Sequence, residues 1–379
     1  MTNTNSRRKK ILFIYYRLFK AGGVTKSLVN IANELSQFHD VSILILIDDK
    51  SSFYKLDPKI KVISLNTFDH WAFRIGCNFL NKKYLKNLPY RNRIKAYLYD
   101  YGCFRTINQW MSQNDVYDKY ITCLFKLSSY LSINKKIRKK LITWEHNSHD
   151  FPNRLWRIFP MLFYKKINRI ITINTESEKY FKNFNPNTQT IYNIIGDPFE
   201  NCSIDFEAKE NIITYVGRLS KEKNIDHIID IYNSSKLVNN FNLHIIGEGE
   251  LREILQKKAH NPNIVFRGIM SSNKICQHLT KSKIIILTSQ TEGLSNVLIE
   301  GMLCGNILIS YNCNYGPKDI VNKKNGFLID PGDKTTAIMI LNKLHDDLDL
   351  QTNLMKSSYL ESKKWKKEIV ISQWLKALS

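Results

Sequence analysis

Lys283-Ile-Ile-Ile-Leu-Thr-Ser-Gln-Thr-Glu-Gly-Leu-Ser-Asn-Val-Leu-Ile-Glu-Gly-Met-Leu-Cys-Gly305 runs from a short apolar segment through a polar turn into apolar residues at helical spacing. A buried strand followed by a helix is the unit of a parallel α/β sheet. In such sheets ligands bind in the turns beyond the carboxyl ends of the strands. Glu292 and Glu300 bracket this turn, and a carboxylate placed there costs desolvation unless something uses it. Ser295 and Asn296 stand where the helix should begin. Their backbone N–H groups, continued by Val297 and aided by the helix dipole, suit phosphate oxygens. Glu300, one turn further in, suits the vicinal hydroxyls of a ribose, and Glu292 a sugar hydroxyl. A helix cap and a surface charge would use the same two residues.

Working outward, the same alternation fills the second half of the chain. Strands are expected at Ile212–Val216, Leu243–Ile246, Ile264–Phe266, Ile307–Ser310 and Gly326–Asp330. Helices fit Asp226–Ser234, Leu251–Ala259, Asn273–Lys281, Thr336–Leu344 and Trp365–Leu378, with a turn at Tyr315–Asp319. The strand spacing suits βα repeats. Arg218 and Lys223 follow the first of these strands, with Gly217 leaving the backbone unobstructed. An arginine fork and a lysine point charge so placed can clamp a diphosphate, although a basic loop would look the same.

The first half opens in the same way. Ile11–Tyr16 is an expected strand, Gly22-Gly23 a turn, Ser27–Leu35 a helix and Val41–Ile47 a second strand. The two glycines permit positive φ and close approach to a ligand, without forming G-x-G-x-x-G. Further strands are expected at Val62–Leu65, Tyr120–Leu124, Leu141–Trp144, Arg169–Asn174 and Thr190–Ile195. The fifth ends in Glu145-His146-Asn147-Ser148-His149, where a histidine can hydrogen-bond substrate or shuttle a proton. Residues 196–210 resemble a linker.

Composition sets outer limits. A chain of 379 residues with 43% apolar content suits two globular domains. Seven cysteines without a C-x-x-C pair argue against a disulfide framework or zinc site and fit a reducing compartment. No apolar run approaches the roughly 20 residues of a membrane span. Arg7–Lys10 and the short apolar run behind it form a first strand rather than a signal peptide. The net charge of +22 is uneven: residues 1–200 hold 33 Lys+Arg against 15 Asp+Glu, and the remainder 23 against 19. Between 70 and 112, Trp71, Phe73, Phe79, Tyr84, Tyr90, Tyr97, Tyr99 and Tyr101 interleave with Arg74, Lys82, Lys83, Lys86, Arg91, Arg93 and Lys95. That pattern suits an anionic lipid surface, a core helix with a solvated basic face, or, less well, nucleic acid.

Gly217-Arg218-Leu219-Ser220-Lys221-Glu222-Lys223, Gly247-Glu248-Gly249 and Glu292-Gly293-Leu294-Ser295-Asn296-Val297-Leu298-Ile299-Glu300 occur in order. Together they resemble the retaining glycosyltransferase family 4 of the GT-B fold. The resemblance implies two Rossmann-like doubly wound domains facing each other across a cleft. Their expected bounds are 1–195 for acceptor binding and 196–360 for the nucleotide-sugar, with a C-terminal helix (361–379) crossing back. It implies catalytic roles for His146, Glu292, Arg218 and Lys223. Substrate binding falls to Gly22, Gly23, Gly217, Glu248, Gly293, Leu294, Ser295, Asn296, Val297 and Glu300. Arg218 and Lys223 match the pair on the leaving diphosphate, Glu300 the carboxylate on the ribose, and Glu292 and His146 the groups at the donor sugar.

The implied reaction retains configuration without a cofactor or bound metal, and Asp48-Asp49 stands alone rather than in an Asp-x-Asp motif. Asn306-Ile307 and Asp319 depart from the family pattern. The Gly316-Pro317-Lys318 turn, with Glu292-Gly293-Leu294-Ser295-Asn296, resembles members of the family that use a UDP-linked hexose or N-acetylhexosamine more than those that use GDP-mannose. The expected partners are a nucleotide-sugar, a glycan or lipid-linked acceptor and an anionic membrane surface, with no nucleic acid. The expected location is cytoplasmic, at the inner face of the membrane. The alternative reading is a non-catalytic nucleotide-sugar-binding subunit of a glycosyltransferase complex.

Overall fold

Alternating strands and helices build two parallel sheets, one in each half of the chain. The computed structural model describes residues 7–20, 22–47, 52–67, 70–80, 91–114, 116–146 and 162–379. Asp48-Asp49, Asn147-Ser148-His149 and the basic and aromatic residues Lys82, Lys83, Tyr84, Lys86 and Tyr90 lie outside the described residues.

In the first sheet the strands are β1 (Lys10–Tyr15), β2 (Asp40–Ile45), β3 (Lys61–Ser64), β4 (Lys119–Thr122), β5 (Leu141–Glu145), β6 (Arg169–Thr172) and β7 (Thr188–Thr190). They lie in the order β3-β2-β1-β4-β5-β6-β7. β1 pairs in parallel with both β2 and β4, so the winding direction reverses between β1 and β4. Ile11 to Ile14 are fully buried, as expected of a strand covered by helices on both faces.

The second sheet contains β8 (Glu210–Val216), β9 (Asn242–Ile246), β10 (Ile264–Gly268), β11 (Ser282–Leu287), β12 (Ile307–Tyr311) and β13 (Gly326–Ile329). Its order is β10-β9-β8-β11-β12-β13, which puts the reversal between β8 and β11. Both sheets are doubly wound and Rossmann-like.

The first compact unit comprises residues 1–173, 177–191 and 371–379, and the second 174–176 and 192–370. The changeover at 191–192 comes before the expected 195–196, and the returning C-terminal segment starts at 371 rather than 361. Within the first unit Trp374 is fully buried and meets Trp144 edge-on at 5.0 Å between centroids. Lys9 Nζ donates to the carbonyls of Leu378 and Ser379 at 2.6 and 2.8 Å.

Three local expectations need correction. The strand expected at Thr190–Ile195 is Thr188–Thr190, because that is where the backbone pairs with β6. The turn at Tyr315–Asp319 continues as a short helix, Pro317–Ile320, with proline at its first position. A helix at Leu348–Glu361 was not expected. Its buried positions, Gln351, Leu354, Met355 and Ser358, are half polar, which hides the apolar stripe on which periodicity depends.

Candidate functional site

The winding reversal of the second sheet brings two loops together. After β8 the chain passes through Gly217 and Arg218 into a short 3-10 turn, Lys221–Lys223. Asn224 then adopts a left-handed conformation, φ 46°, and its side chain donates to the Thr288 carbonyl at 3.1 Å. Thr288, just past β11, donates in return to the carbonyls of Lys223 and Asn224 at 3.0 and 2.8 Å. Gln290 N adds a bond to the Glu222 carbonyl at 2.8 Å. These bonds join residues 64 to 68 positions apart in sequence and set the next contact.

Lys223 Nζ and Glu292 Oε1 form an ion pair at 2.7 Å. Ser289 Oγ donates to the same carboxylate oxygen at 2.6 Å. Both charged side chains are mostly withdrawn from solvent, with 21% and 14% exposed, so the pair is less screened than a surface bridge. The sequence reading gives Lys223 to a diphosphate and Glu292 to a sugar. Here the two groups hold one another. Arg218 is exposed and makes no ion pair among the described residues, which leaves its guanidinium donors for a ligand. Its carbonyl accepts the Tyr215 hydroxyl at 2.9 Å.

β9 contributes Gly247-Glu248-Gly249, stitched to the loop after β8. Gly217 N donates to the Ile246 carbonyl at 3.0 Å and Leu219 N to the Glu248 carbonyl at 2.9 Å. Gly247 has φ +137°, and a Cβ there would lie 1.9 Å from the Gly217 carbonyl oxygen. Only glycine permits that approach. The Glu248 carboxylate is ion-paired with Arg252 at the start of the following helix, a contact that the expected substrate role did not include.

The helix after Glu292 begins at Asn296, with Ser295 as its N-cap and no side-chain cap hydrogen bond. Leu294, Ser295 and Glu300 are buried, whereas Val297 is half-buried. Asn193 Nδ2 donates to Asn296 Oδ1 at 3.0 Å, and Asn174 Nδ2 to the Gly293 carbonyl at 3.1 Å. Asp319 accepts from Thr175 N and Oγ1 at 2.7 and 2.6 Å. Ser289, Asn174, Thr175 and Asn224 were not singled out from sequence. Single polar residues at loop ends carry no local signature, and only the topology shows what they hold. Asp319 was singled out, but only as a departure from the family pattern.

The reversal in the first sheet looks different. A cavity of about 370 Å³ opens there, lined by Tyr15, Tyr16, Arg17, Ile47, Tyr99 and Leu124. Tyr16 and Tyr99 stack with centroids 6.4 Å apart, and Phe73 meets Tyr99 edge-on at 5.7 Å. The aromatic, basic segment therefore divides. Phe73 and Tyr99 turn inward, while Trp71, Ile75 and Phe79 of the helix Trp71–Leu80 are 65%, 62% and 53% exposed. Their four-residue spacing puts them on one helical face, and Arg74 is exposed on the same helix.

Gly22 and Gly23 do not take positive φ. Gly22 is extended at φ 175°, and Gly23 is absent from the left-handed residues. A Cβ on Gly23 would meet nothing within 4 Å, so protein packing does not demand glycine there.

β5 delivers Glu145 and His146, both buried. The Tyr164 hydroxyl donates to Glu145 Oε1 at 2.6 Å. Burial outweighs that bond and pushes the Glu145 carboxyl up to about 7. Burial pushes His146 down to about 3, so the imidazole is neutral at ordinary pH. Its Nε2 has no hydrogen-bond partner among the described residues, and its ring lies 4.1 Å from Trp144. A neutral imidazole with a vacant nitrogen is better suited to a hydrogen bond than to taking up a proton.

Residues 199–360 match the model of a family described as glycosyl transferases group 1. Across 97% of its length the chain is 28% identical to an uncharacterized glycosyltransferase of Haemophilus influenzae, covering 99% of that protein. It is 26% identical, over 98% of both chains, to a Campylobacter jejuni protein. That relative is the GalNAc-alpha-(1->4)-GalNAc-alpha-(1->3)-diNAcBac-PP-undecaprenol alpha-1,4-N-acetyl-D-galactosaminyltransferase. Among solved structures, Anabaena HepE in complex with UDP aligns at TM-score 0.74 and 18% identity, covering 97% of this chain and 99% of that one. TarM aligns at TM-score 0.74 and 16% identity, covering 98% and 99%. At those identities the structural likeness establishes a shared GT-B fold.

Proposed function

We propose, from the match of residues 199–360 to the model of the glycosyl transferases group 1 family, that the protein is a retaining, metal-independent glycosyltransferase. It transfers a hexose or N-acetylhexosamine from a UDP-sugar to a lipid-linked or polysaccharide acceptor in cell-surface glycan synthesis. The observation that carries this reading is the Lys223–Glu292 ion pair at the winding reversal of the second sheet, where α/β sheets bind their ligands. Arg218, exposed beside it, supplies cationic hydrogen-bond donors.

Breaking the sugar–phosphate bond leaves negative charge on the departing diphosphate. Arg218, Lys223 and the amides of residues 295–297 offset that charge at the moment it develops. Lys223 keeps its bond to Glu292 Oε1 as it engages phosphate, and the second carboxylate oxygen of Glu292 accepts a sugar hydroxyl. Glu300 accepts from the ribose hydroxyls, and Gly217, Glu248, Gly293 and Leu294 line the nucleotide. His146 donates or accepts a hydrogen bond at the donor sugar, in keeping with its neutral ring. The departing oxygen takes the proton of the incoming hydroxyl on the same face, and configuration is retained. Gly22 and Gly23 lie along the substrates, with open space beside the Gly23 backbone.

The name of the Campylobacter jejuni relative supports a polyprenyl-diphosphate-linked acceptor and an N-acetylhexosamine donor. No helix among the described residues is long and apolar enough to cross a membrane. We place the protein peripherally on the cytoplasmic membrane face, held by the exposed Trp71, Ile75 and Phe79 face and by the basic charge of the first 200 residues.

A screen of UDP-N-acetylgalactosamine, UDP-galactose, UDP-glucose and GDP-mannose, with lipid-linked acceptors in anionic vesicles, tests the proposal. One UDP-sugar is expected to give an α-linked product with the metal chelated. Absence of both transfer and slow donor hydrolysis for every donor, with nucleotide still bound, would favour a non-catalytic binding subunit.

A further inference from the structure

No two cysteines of this chain are spaced as a metal-binding pair, yet the second unit gathers three of them. Cys202 follows Pro198 and Phe199 in the segment before β8. Cys276 lies on the helix Ser272–Lys281, and Cys304 is the C-cap of the helix Asn296–Leu303. Their Sγ atoms all lie within 4.8 Å of one another, with Cys202 and Cys304 at 3.9 Å. Cys276 and Cys304 are buried, and Cys202 is half-buried.

Zinc–thiolate bonds of about 2.3 Å at tetrahedral angles set sulfurs about 3.8 Å apart. One pair already has that spacing, and the third sulfur is within about 1 Å of it. A disulfide would instead require two sulfurs to close to about 2.05 Å, a far larger displacement in a packed interior. The charges also fit. Three thiolates around Zn²⁺ carry one net negative charge, and the buried Lys209 lies beside them. Its Nζ donates to the carbonyls of Cys304 at 2.9 Å, Ser282 at 2.7 Å and Leu279 at 3.3 Å. A buried lysine surrounded only by neutral carbonyls carries an uncompensated charge, which an anionic metal–thiolate centre offsets.

We propose that Cys202, Cys276 and Cys304 form a three-thiolate zinc site, with its fourth position filled from solvent on the Cys202 side. The site is structural. Cys304 ends the eight-residue helix that starts at Asn296, about 12 Å from that helix's first turn. The metal would staple the segment before β8 to two helices of the second unit and fix the far end of the helix that presents Glu300.

The test uses the full-length protein, purified reduced and stripped with a chelator, then titrated with Co²⁺. Saturation at one Co²⁺ per chain is expected, with thiolate-to-cobalt charge-transfer absorption and tetrahedral d–d bands that Zn²⁺ abolishes. Zn²⁺ should also raise the thermal midpoint and shield these three thiols from alkylation in the unmodified protein, a measurement that needs no variant to fold. Cys202→Ser, at the most exposed of the three positions, should weaken Co²⁺ binding by more than about tenfold. Cys103→Ser, in the first unit, should not. Absence of the bands, their survival in Cys202→Ser, or a Cys202–Cys304 disulfide formed in air by protein that gives no cobalt bands would each overturn the proposal.

Discussion

The two sheets reverse their winding in the same manner, between β1 and β4 in one and between β8 and β11 in the other, but their strand-end loops are built from different material. In the second unit the loops are polar, glycine-pinned and cross-linked by hydrogen bonds, with a lysine and a glutamate held at 2.7 Å. In the first unit the reversal opens onto Tyr15, Tyr16, Tyr99 and Arg17, with Ile47 and Leu124, around a cavity of about 370 Å³. A loop that must hold a constant group, such as a diphosphate and ribose, fixes its donors by many local constraints. Loops that meet a variable partner need only shape and apolar contact. The difference follows from the proposed division between donor and acceptor.

The largest effect is expected where the constraints are densest. If Lys223 and Glu292 act as one unit, Lys223→Ala and Glu292→Ala should each lower kcat by roughly 10²–10³. The double variant should be hardly worse than either, because coupled residues do not add. Independent service on the diphosphate and on the sugar would make the losses multiply. Steady-state kinetics on the four proteins with the donor found in the screen distinguishes the two, and multiplication would dissolve the pair as a functional unit.

Next in size is a glycine contrast across the units. Gly247→Ala places a methyl group 1.9 Å from the Gly217 carbonyl oxygen at φ +137°. It should cost more than about 2 kcal/mol of stability, read from denaturant melts, together with nucleotide affinity. Gly23→Ala enters open space at the first turn of a helix, so stability should hold or rise by about 0.5 kcal/mol. Turnover should nevertheless fall if substrate approaches that backbone. Loss of stability in Gly23→Ala would show that the first unit's glycines are structural after all.

How far the sequence disclosed this arrangement differed between the units for the same reason. Lys283–Gly305 could be read because a fully buried parallel strand is a run of isoleucine and leucine and the following helix presents apolar residues at its own period. Arg218, Lys223, Glu292 and Glu300 stood out because charge at a strand end is costly unless used. The Lys223–Glu292 contact was illegible. It depends on the β8–β11 reversal and on Asn224 and Thr288, whose types are unremarkable anywhere else. The three-cysteine cluster escaped for a related cause, since its members lie 74 and 28 residues apart along the chain and only the fold assembles them. In the first unit Gly22-Gly23 suggested positive φ that the backbone does not take. Glycine pairs record permission, and permission is not always exercised.

The smallest effect concerns Glu145, whose carboxyl burial pushes up to about 7. Its folded pKa is above its unfolded value of 4.5, so its contribution is fully present below pH 4.5 and is lost as pH rises through 7. His146 runs the other way. Its folded pKa of about 3 is below the unfolded 6.5, so its contribution is present above 6.5 and lost as pH falls toward 3. Wild type and Glu145→Gln share the histidine term, and the difference between their melting temperatures isolates the carboxyl. Glutamine keeps an acceptor for the Tyr164 hydroxyl at nearly the same volume. The variant should therefore melt a few degrees above wild type at pH 8 and lose that advantage between pH 7 and 4.5. A difference that stays constant across that window would mean that Glu145 is already ionised in the folded protein at pH 5. The first unit's strand ends would then be as polar in effect as those of the second, and the contrast between the two would narrow to their glycines.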